Sequence, residues 1–299
     1  MSESRPVGVV ILNKGEGITS QGAVTRVRRL FGAEKAGHTG TLDPMATGVL
    51  PILLGRAVKA SEFMLTEDKH YVAHLTLGIT TDTEDTTGEI LTTSENIPGE
   101  CEVRRAAESF IGESMQTPPM YSALKVGGRK LCDLAREGVT VERESRKIVI
   151  YSLGAKKISE RVYSLDVHCS KGTYIRTLCA DIGKLLGCGG AMSALLRCEA
   201  AGFTLEDAYT LEEIEKMTDE ERAKTIIPTE KIFEKLPSVS LSPFFARLAR
   251  AGQEIYLKKI NLTLELGTRV KLYDAEGFFA VGEVRNFEAG DAIKPIRQF

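Results

Sequence analysis

Residues 70–79, HYVAHLTLGI, alternate with a period of two, which puts Tyr71, Ala73, Leu75, Leu77 and Ile79 on one face of a strand and His70, Val72, His74 and Thr76 on the other. A half-buried strand needs paired edges and a layer over its apolar face. The chain supplies further strands in VGVVIL (7–12), GVLPILLG (48–55), KIVIYSL (147–153) and VYSLDVHCS (162–170), with Pro51 favouring an edge or bulge in the second. Covering helices are expected from Ser20, as cap, to a stop at Gly32, then over 56–65, and over 103–111 ahead of Gly112. The class is therefore α+β.

At 299 residues, with 42% hydrophobic and 27% charged side chains, the chain is long enough for about two domains with their own cores. PSVSLSP (237–243) reads as a linker, dividing it into 1–236 and 237–299. Beyond it, an amphipathic segment at 244–251 precedes short strands at 255–257, 269–273, 278–284 and 292–296, separated by Gly267, Gly277 and Gly290, the pattern of a small β-rich barrel. LEDAYTLEEIEKMTDEERAK (205–224) reads as one acidic helical stretch, unsuited to phosphate contacts. No apolar run approaches the roughly 20 residues that span a bilayer, and MSESRPVGVV lacks a signal peptide's features, so a cytoplasmic location is expected. Six cysteines show no C-x-x-C spacing and no zinc pattern with the four histidines. Reduced thiols and no metal are expected.

A net charge of −2 excludes a protein that coats nucleic acid through a global positive field. Local basic clusters remain: Arg26, Arg28, Arg29 and Lys35; Arg56 and Lys59; Lys125, Arg129 and Lys130; Arg143, Arg146 and Lys147. Each reads either as solvated surface or as a phosphate contact.

GHTGTLDPMATG (37–48) sets one carboxylate, Asp43, between glycines and before Pro44, which pushes it toward an extended backbone. Such a loop can hold a reactive side chain out of regular structure or be an ordinary turn; we read Asp43 as reactive. The acidic TTDTEDTTGE (80–89) reads as an inter-strand loop, and QTPPMYSALKVGGRK (116–130) as an excursion ending in bases. In SKGTYIR (170–176), an extended backbone would project Tyr174 and Arg176 from one face, ahead of an amphipathic helix.

Together, GHTGTLDPMATGVLPILLGRAVK, DKHYVAHLTLGITTDTEDTTGE, QTPPMYSALKVGGRK and SKGTYIRTL resemble, in order, the motifs of TruB-type tRNA pseudouridine synthases, over about Leu12 to Arg197. The tail resembles the small RNA-binding PUA domain of that family. The resemblance implies a pseudouridine synthase fold with a mixed, mainly antiparallel sheet flanked by helices. It implies Asp43 as the catalytic aspartate, Tyr71 as the platform for a flipped uracil, and His38 as the group filling the space beside the extracted nucleotide. It further implies Tyr174 against base and sugar, Arg176 paired with Asp43 and lowering its pKa, Leu196 as an apolar wall, and Lys14 and Lys59 as basic positions near the site. For Tyr71 a plain core role stays open, and for Tyr174 a choice between base and wall.

The implied reaction is an isomerisation that needs no cofactor: N1–C1′ breaks, the uracil turns, and C5 joins C1′. An ionised Asp43 suits attack on C1′, attack on C6 or removal of the 2′ proton. The implied substrate is the uridine at position 55 of the TΨC loop of tRNA, with no obligate protein partner and a monomeric enzyme. Modification of another RNA, or a noncatalytic tRNA-binding or folding protein, are the alternatives. Gly15, Cys132, Ala191 and Cys198 depart from the family pattern.

Overall fold

The computed structural model describes residues 5–299. The chain opens with β1 (Gly8–Lys14), buried on both faces, then α1 (Ser20–Leu30). The cap of α1 is Thr19 rather than Ser20: the Thr19 hydroxyl accepts from the Gly22 N–H at 3.0 Å, and Ser20 turns inward. β2 (Ala36–His38) and β3 (Thr47–Leu54) follow, and 56–65 forms a 3₁₀ turn, Gly55–Ala60, running into α2 (Ser61–Met64). The alternating strand is β4 (Lys69–Leu77), with every odd position buried.

A hairpin, β5 (Ile79–Thr81) and β6 (Ile90–Thr93), carries the acidic loop at its tip. α3 (Glu100–Glu108) ends short of the expected Gly112, which instead begins β7 (Gly112–Gln116). The Pro/Gly-rich excursion contains a two-strand ribbon, β8 (Lys125–Val126) and β9 (Arg129–Lys130), and α4 (Leu131–Arg136). β10 (Arg146–Lys157) and β11 (Val162–Cys169) form a longer hairpin than expected, since Lys156 and Lys157 continue the strand. α5 (Ile175–Leu185), β12 (Gly190–Ala200) and β13 (Phe203–Thr204) complete this part.

The nine-stranded sheet has the order β1-β3-β12-β4-β11-β10-β7, with β2 beside β3 and β13 beside β12. Only the β3–β12 pairing is parallel. Pro51 is therefore buried in an interior strand, contrary to the edge or bulge position expected. It is tolerated because β12 contacts β3 only at Thr47 and Gly48, and β2 starts pairing at Ile52. Pro51 occupies the gap, and its carbonyl accepts from Thr39 N–H at 3.3 Å.

One face of the sheet packs on α1, α3 and α5 through Val24, Val27, Val103, Ala107, Leu178 and Ile182, with Tyr71, Ala73, Leu75 and Leu77 pointing at them. Such fully buried side chains contribute about 1.5–3 kcal/mol each. Near β1 the opposite face has its own core, Val9, Ile11, Val49 and Leu53 with Ala57, Met64 and Ala200. α5 seats closely on β12 because Gly183 has no side chain: a Cβ there would stand 2.1 Å from Gly190 N.

The 205–224 stretch is not one helix. It breaks into a 3₁₀ turn, Leu205–Asp207, α6 (Leu211–Lys216) and α7 (Asp219–Lys224). Thr204, Thr210 and Thr218 each open a capping box with the acid three residues on, and each box restarts the chain.

The expected linker holds a strand, β14 (Ser238–Ser240). With α8 (Pro243–Arg250), β15 (Ile255–Tyr256), β16 (Arg269–Asp274), β17 (Gly277–Phe287) and β18 (Gly290–Gln298) it builds the C-terminal unit. Its five strands curl in the order β14-β16-β17-β18-β15 around Val239, Ala249, Leu272, Phe279 and Ile293, a half-barrel of PUA type. An aromatic knot joins it to the larger unit: Phe233 lies 5.1 Å from Phe63, 5.9 Å from Phe278 and 5.5 Å from Phe299, centroid to centroid.

Candidate active site

The loop from β2 to β3 carries Asp43, and each of its neighbours is anchored. Ser20 Oγ accepts from Leu42 N–H at 2.8 Å and donates to the Leu42 carbonyl at 2.9 Å. The Pro44 carbonyl accepts from Gly17 N–H at 2.8 Å and from Lys14 Nζ at 3.3 Å. Lys14 is fully buried, and its ammonium also donates to the carbonyls of Gly15 and Ile18, both at 2.9 Å. Lys14 is thus spent on backbone and ties the turn at Gly15; it holds the loop rather than offering a charge to a ligand. Gly48 closes the loop at φ +104°, where a Cβ would lie 2.3 Å from the Arg197 carbonyl.

Arg176 is brought to Asp43 by helix α5, not by an extended strand. Tyr174 is the N-cap of that helix and Arg176 its second residue, so the shared face expected from an extended SKGTYIR is replaced by a helix start that aims both inward. Arg176 is 6% exposed, and its Nε lies 3.0 Å from Asp43 Oδ2, the pair expected. The pair is not bidentate, because Arg176 Nη1 donates to the Thr83 carbonyl at 3.1 Å and Nη2 to the Tyr121 carbonyl at 2.7 Å. One guanidinium therefore joins the Asp43 loop, the acidic hairpin tip and the Pro-rich excursion.

Asp43, Tyr71, Tyr174 and Arg176 line a single cavity of about 310 Å³. Its apolar wall on β12 is Leu195, not Leu196. Leu195 and Arg197 share the inward face there, while Leu196 between them points away. His38 stands at the end of β2, half-buried, two residues before the cavity rim at Gly40. Its buried Nδ1 has no partner among the described residues. Lys59 lies elsewhere: it is exposed, and its Nζ donates to the Gln298 carbonyl at 3.0 Å, tying the larger unit to the last strand. Gly15, Cys132, Ala191 and Cys198 do not line the cavity. A larger recess of about 710 Å³, between the sheet and the C-terminal unit, mixes both signs of charge around Phe63, His168, Lys231 and Arg269, and the cations pair with Glu234 and Glu283 at its solvated edge.

Burial pushes the Asp43 carboxyl above the ordinary aspartate value; Arg176 and then Lys14 pull it down, and Asp85 adds to the rise. Arg176 thus lowers the Asp43 pKa as expected, but its pull and that of Lys14 do not offset the desolvation, and the net shift is upward. Burial also raises the Tyr71 and Tyr174 phenols and lowers Lys14 to about 8.

Four buried polar residues of the site escape a reading of the loops alone. Asp85, 5% exposed, lies 3.7 Å from Arg176 and accepts from Thr83 Oγ1, Thr87 N–H and Thr87 Oγ1. The T-x-D-x-T spacing within the acidic loop was its signal. Gln116 clamps the Tyr174 backbone, donating to its carbonyl at 3.0 Å and accepting from its N–H at 2.8 Å. Lys69 sits two residues before Tyr71 on the inward face of β4, a charge on an apolar stripe. Arg197, 1% exposed, donates through Nε to the Val49 carbonyl at 2.7 Å and through Nη2 to the Gly40 carbonyl at 3.2 Å.

Residues 28–175 match the model of the TruB family pseudouridylate synthase N-terminal domain, and 176–234 that of the tRNA pseudouridylate synthase B C-terminal domain. The chain is 43% identical over 281 residues to the tRNA pseudouridine synthase B of Alkaliphilus oremlandii (strain OhILAs), covering 93% of both. It is 43% identical over 294 residues to that of Francisella tularensis subsp. holarctica (strain FTNF002-00 / FTA), covering 96% of this chain and 93% of the relative. Among solved structures, a chain of a Cbf5-Nop10-Gar1 complex superposes with a TM-score of 0.70 at 26% identity, over 98% of this chain and 84% of that one. A carboxylate held between glycines over a pocket of two tyrosines, on a sheet shared with these proteins almost end to end, leaves one assignment: the chain belongs to the TruB family of pseudouridylate synthases.

Proposed function

We propose that this protein isomerises uridine to pseudouridine in tRNA, at position 55 of the TΨC loop. The observation that carries the reading is the Asp43–Arg176 pair facing Tyr71 and Tyr174 in one cavity sized for a single nucleotide's base. A base in an RNA loop must leave its stack to reach Asp43, and Tyr71 supplies the face that receives it. Tyr174 borders base and sugar, Arg176 orients the carboxylate, and His38 fills the space the nucleotide vacates.

Residues 1–236 act as the catalytic unit and 237–299 as a PUA-like unit gripping the acceptor end, in a monomeric, cytoplasmic enzyme. The exposed bases near the cavity divide by their partners. Arg129 pairs with Glu137, Lys147 with Glu113 at 2.8 Å, and the half-buried Arg143 donates to the Pro118 carbonyl at 3.0 Å. Lys125, Lys130, Arg146 and Lys171 have no carboxylate partner among the described residues and supply the phosphate contacts. The test is to incubate a tRNA transcript with the protein alone and map pseudouridine. Modification at the T-loop uridine is expected; modification elsewhere, or only after a guide RNA is added, overturns the reading.

A further inference from the structure

Resting on the uridine isomerisation proposed above, we propose that Lys69 and Arg197 form an anion-stabilising recess in the active-site cavity, which holds the uracil ring while it is detached from the ribose. Both line the cavity, at 8% and 1% exposure, and neither has a carboxylate within ion-pair distance among the described residues. Lys69 Nζ has one acceptor, the Glu67 carbonyl at 2.5 Å, and Arg197 has the two carbonyls of Val49 and Gly40 and lies against the Tyr71 hydroxyl, none of them an anion. Cys169, across the strand pair from Lys69, does not neutralise it, because burial pushes that thiol up to about 11.

The positive field is visible in its neighbours: burial and then Arg197 lower Lys69, and the same two causes lower His38. Two buried cations without a counter-ion are costly in a folded chain, and that cost is relieved when an anion enters. Placement favours the base over a phosphate as that anion. Arg197 is the cross-strand partner of Tyr71 on the same face, and Lys69 precedes Tyr71 by two on that face. A ring on Tyr71 therefore meets both cations inside the cavity, and their burial leaves almost no surface for a backbone phosphate outside it.

The chemistry calls for such a site. When N1–C1′ breaks, the electron pair goes to the ring and the charge spreads over N1, O2 and O4. After C5 bonds to C1′, the C5 proton leaves and N1 takes one up, so one proton moves net from C5 to N1. Fixed cations are worth most where charge develops in a water-poor pocket, and ones that bind O2 or O4 let the ring turn without release.

Arg197 also holds Val49 and Gly40, so the test is placed on Lys69. Single-turnover rates are measured for Lys69→Met and Lys69→Arg on a T-stem-loop RNA containing uridine, and on the same RNA with 5-fluorouridine, whose base is the more acidic leaving group. Pseudouridine formation by the unaltered protein on the uridine RNA is the control for the underlying activity. Lys69→Met is expected to slow uridine conversion about 100-fold or more at unchanged RNA affinity, and Lys69→Arg to keep most of the rate. The Lys69→Met penalty on glycosidic cleavage should shrink at least ~10-fold with 5-fluorouridine, since a weaker base leans less on an external cation. Equal penalties on both RNAs overturn the proposal. So does a weaker affinity with a salt slope reduced by about 1, which marks a phosphate contact. Should Lys69→Met not fold, Lys69→Gln against Lys69→Arg is read by the same two ratios.

Discussion

Asp43 combines a desolvated carboxyl with a single charged contact, and this sets its behaviour with pH. Its folded pKa lies above the ordinary value, so folding disfavours the ionised form. The associated stability is present below the unfolded pKa and lost as pH rises through the folded one. Asp43→Asn, a mimic of the neutral acid, should therefore raise Tm at neutral pH, and the gain should vanish in acid below the ordinary aspartate range. The same substitution should cut turnover ~1,000-fold or more in a tritium-release assay while tRNA binding persists. For the unaltered protein, the acid limb of the single-turnover rate should sit above the ordinary aspartate pKa.

Helix α5 is the element that converts separate motifs into a site, since its first turn carries Arg176 and its cap is Tyr174. No side chain of its own caps it; Gln116, from the end of β7, holds the Tyr174 backbone from both sides. Gln116→Ala should cost about 2 kcal/mol in chemical denaturation, by leaving buried backbone groups unpaired. Because the displaced group borders the reacting base and sugar and not the phosphates that carry RNA affinity, kcat should fall with KM nearly unchanged. Periodicity locates β4, β10 and β11, but it does not decide whether SKGTYIR ends as a strand or as a helix, and the structure makes it a helix start. A residue before a helix has extended angles, and nothing local marks where the helix begins. The threonine capping boxes of 204–221, by contrast, are legible in the sequence as threonine with an acid three residues on, beneath the acidic pattern that suggests one helix.

At the scale of the molecule, the two units are joined by aromatic packing more than by charge. Phe233 is 4% exposed amid Phe63, Phe278 and Phe299, whereas the ion pair from Arg297 to Glu62 is solvated. Exposed pairs contribute about 0–1 kcal/mol, and a buried phenylalanine truncated to alanine loses roughly 3–5 kcal/mol. Phe233→Ala should thus split calorimetric unfolding into two transitions, while Arg297→Ala should not. Affinity for tRNA should fall steeply with salt, and Lys125→Ala or Lys130→Ala should each lower the slope by about 1. Arg129→Ala should lower it less, since that side chain already pairs with Glu137.

Along the chain, regular spacing settled the α+β class, the alternating strand and the small β-rich tail, because burial of one face imprints a period that needs no knowledge of neighbours. The glycine loop, and the motifs that share its family, likewise singled out Asp43, Tyr71, Tyr174 and Arg176. Tertiary structure alone decided which partners those residues meet. Leu195 rather than Leu196 walls the pocket, Lys14 is spent on the carbonyls of the Asp43 loop, and Lys59 ties down the last strand. It also decided the direction of the Asp43 pKa. Desolvation and hydrogen-bond geometry depend on atoms contributed from residues 14, 43, 83, 121 and 176 at once, and no periodicity or local motif carries that sum.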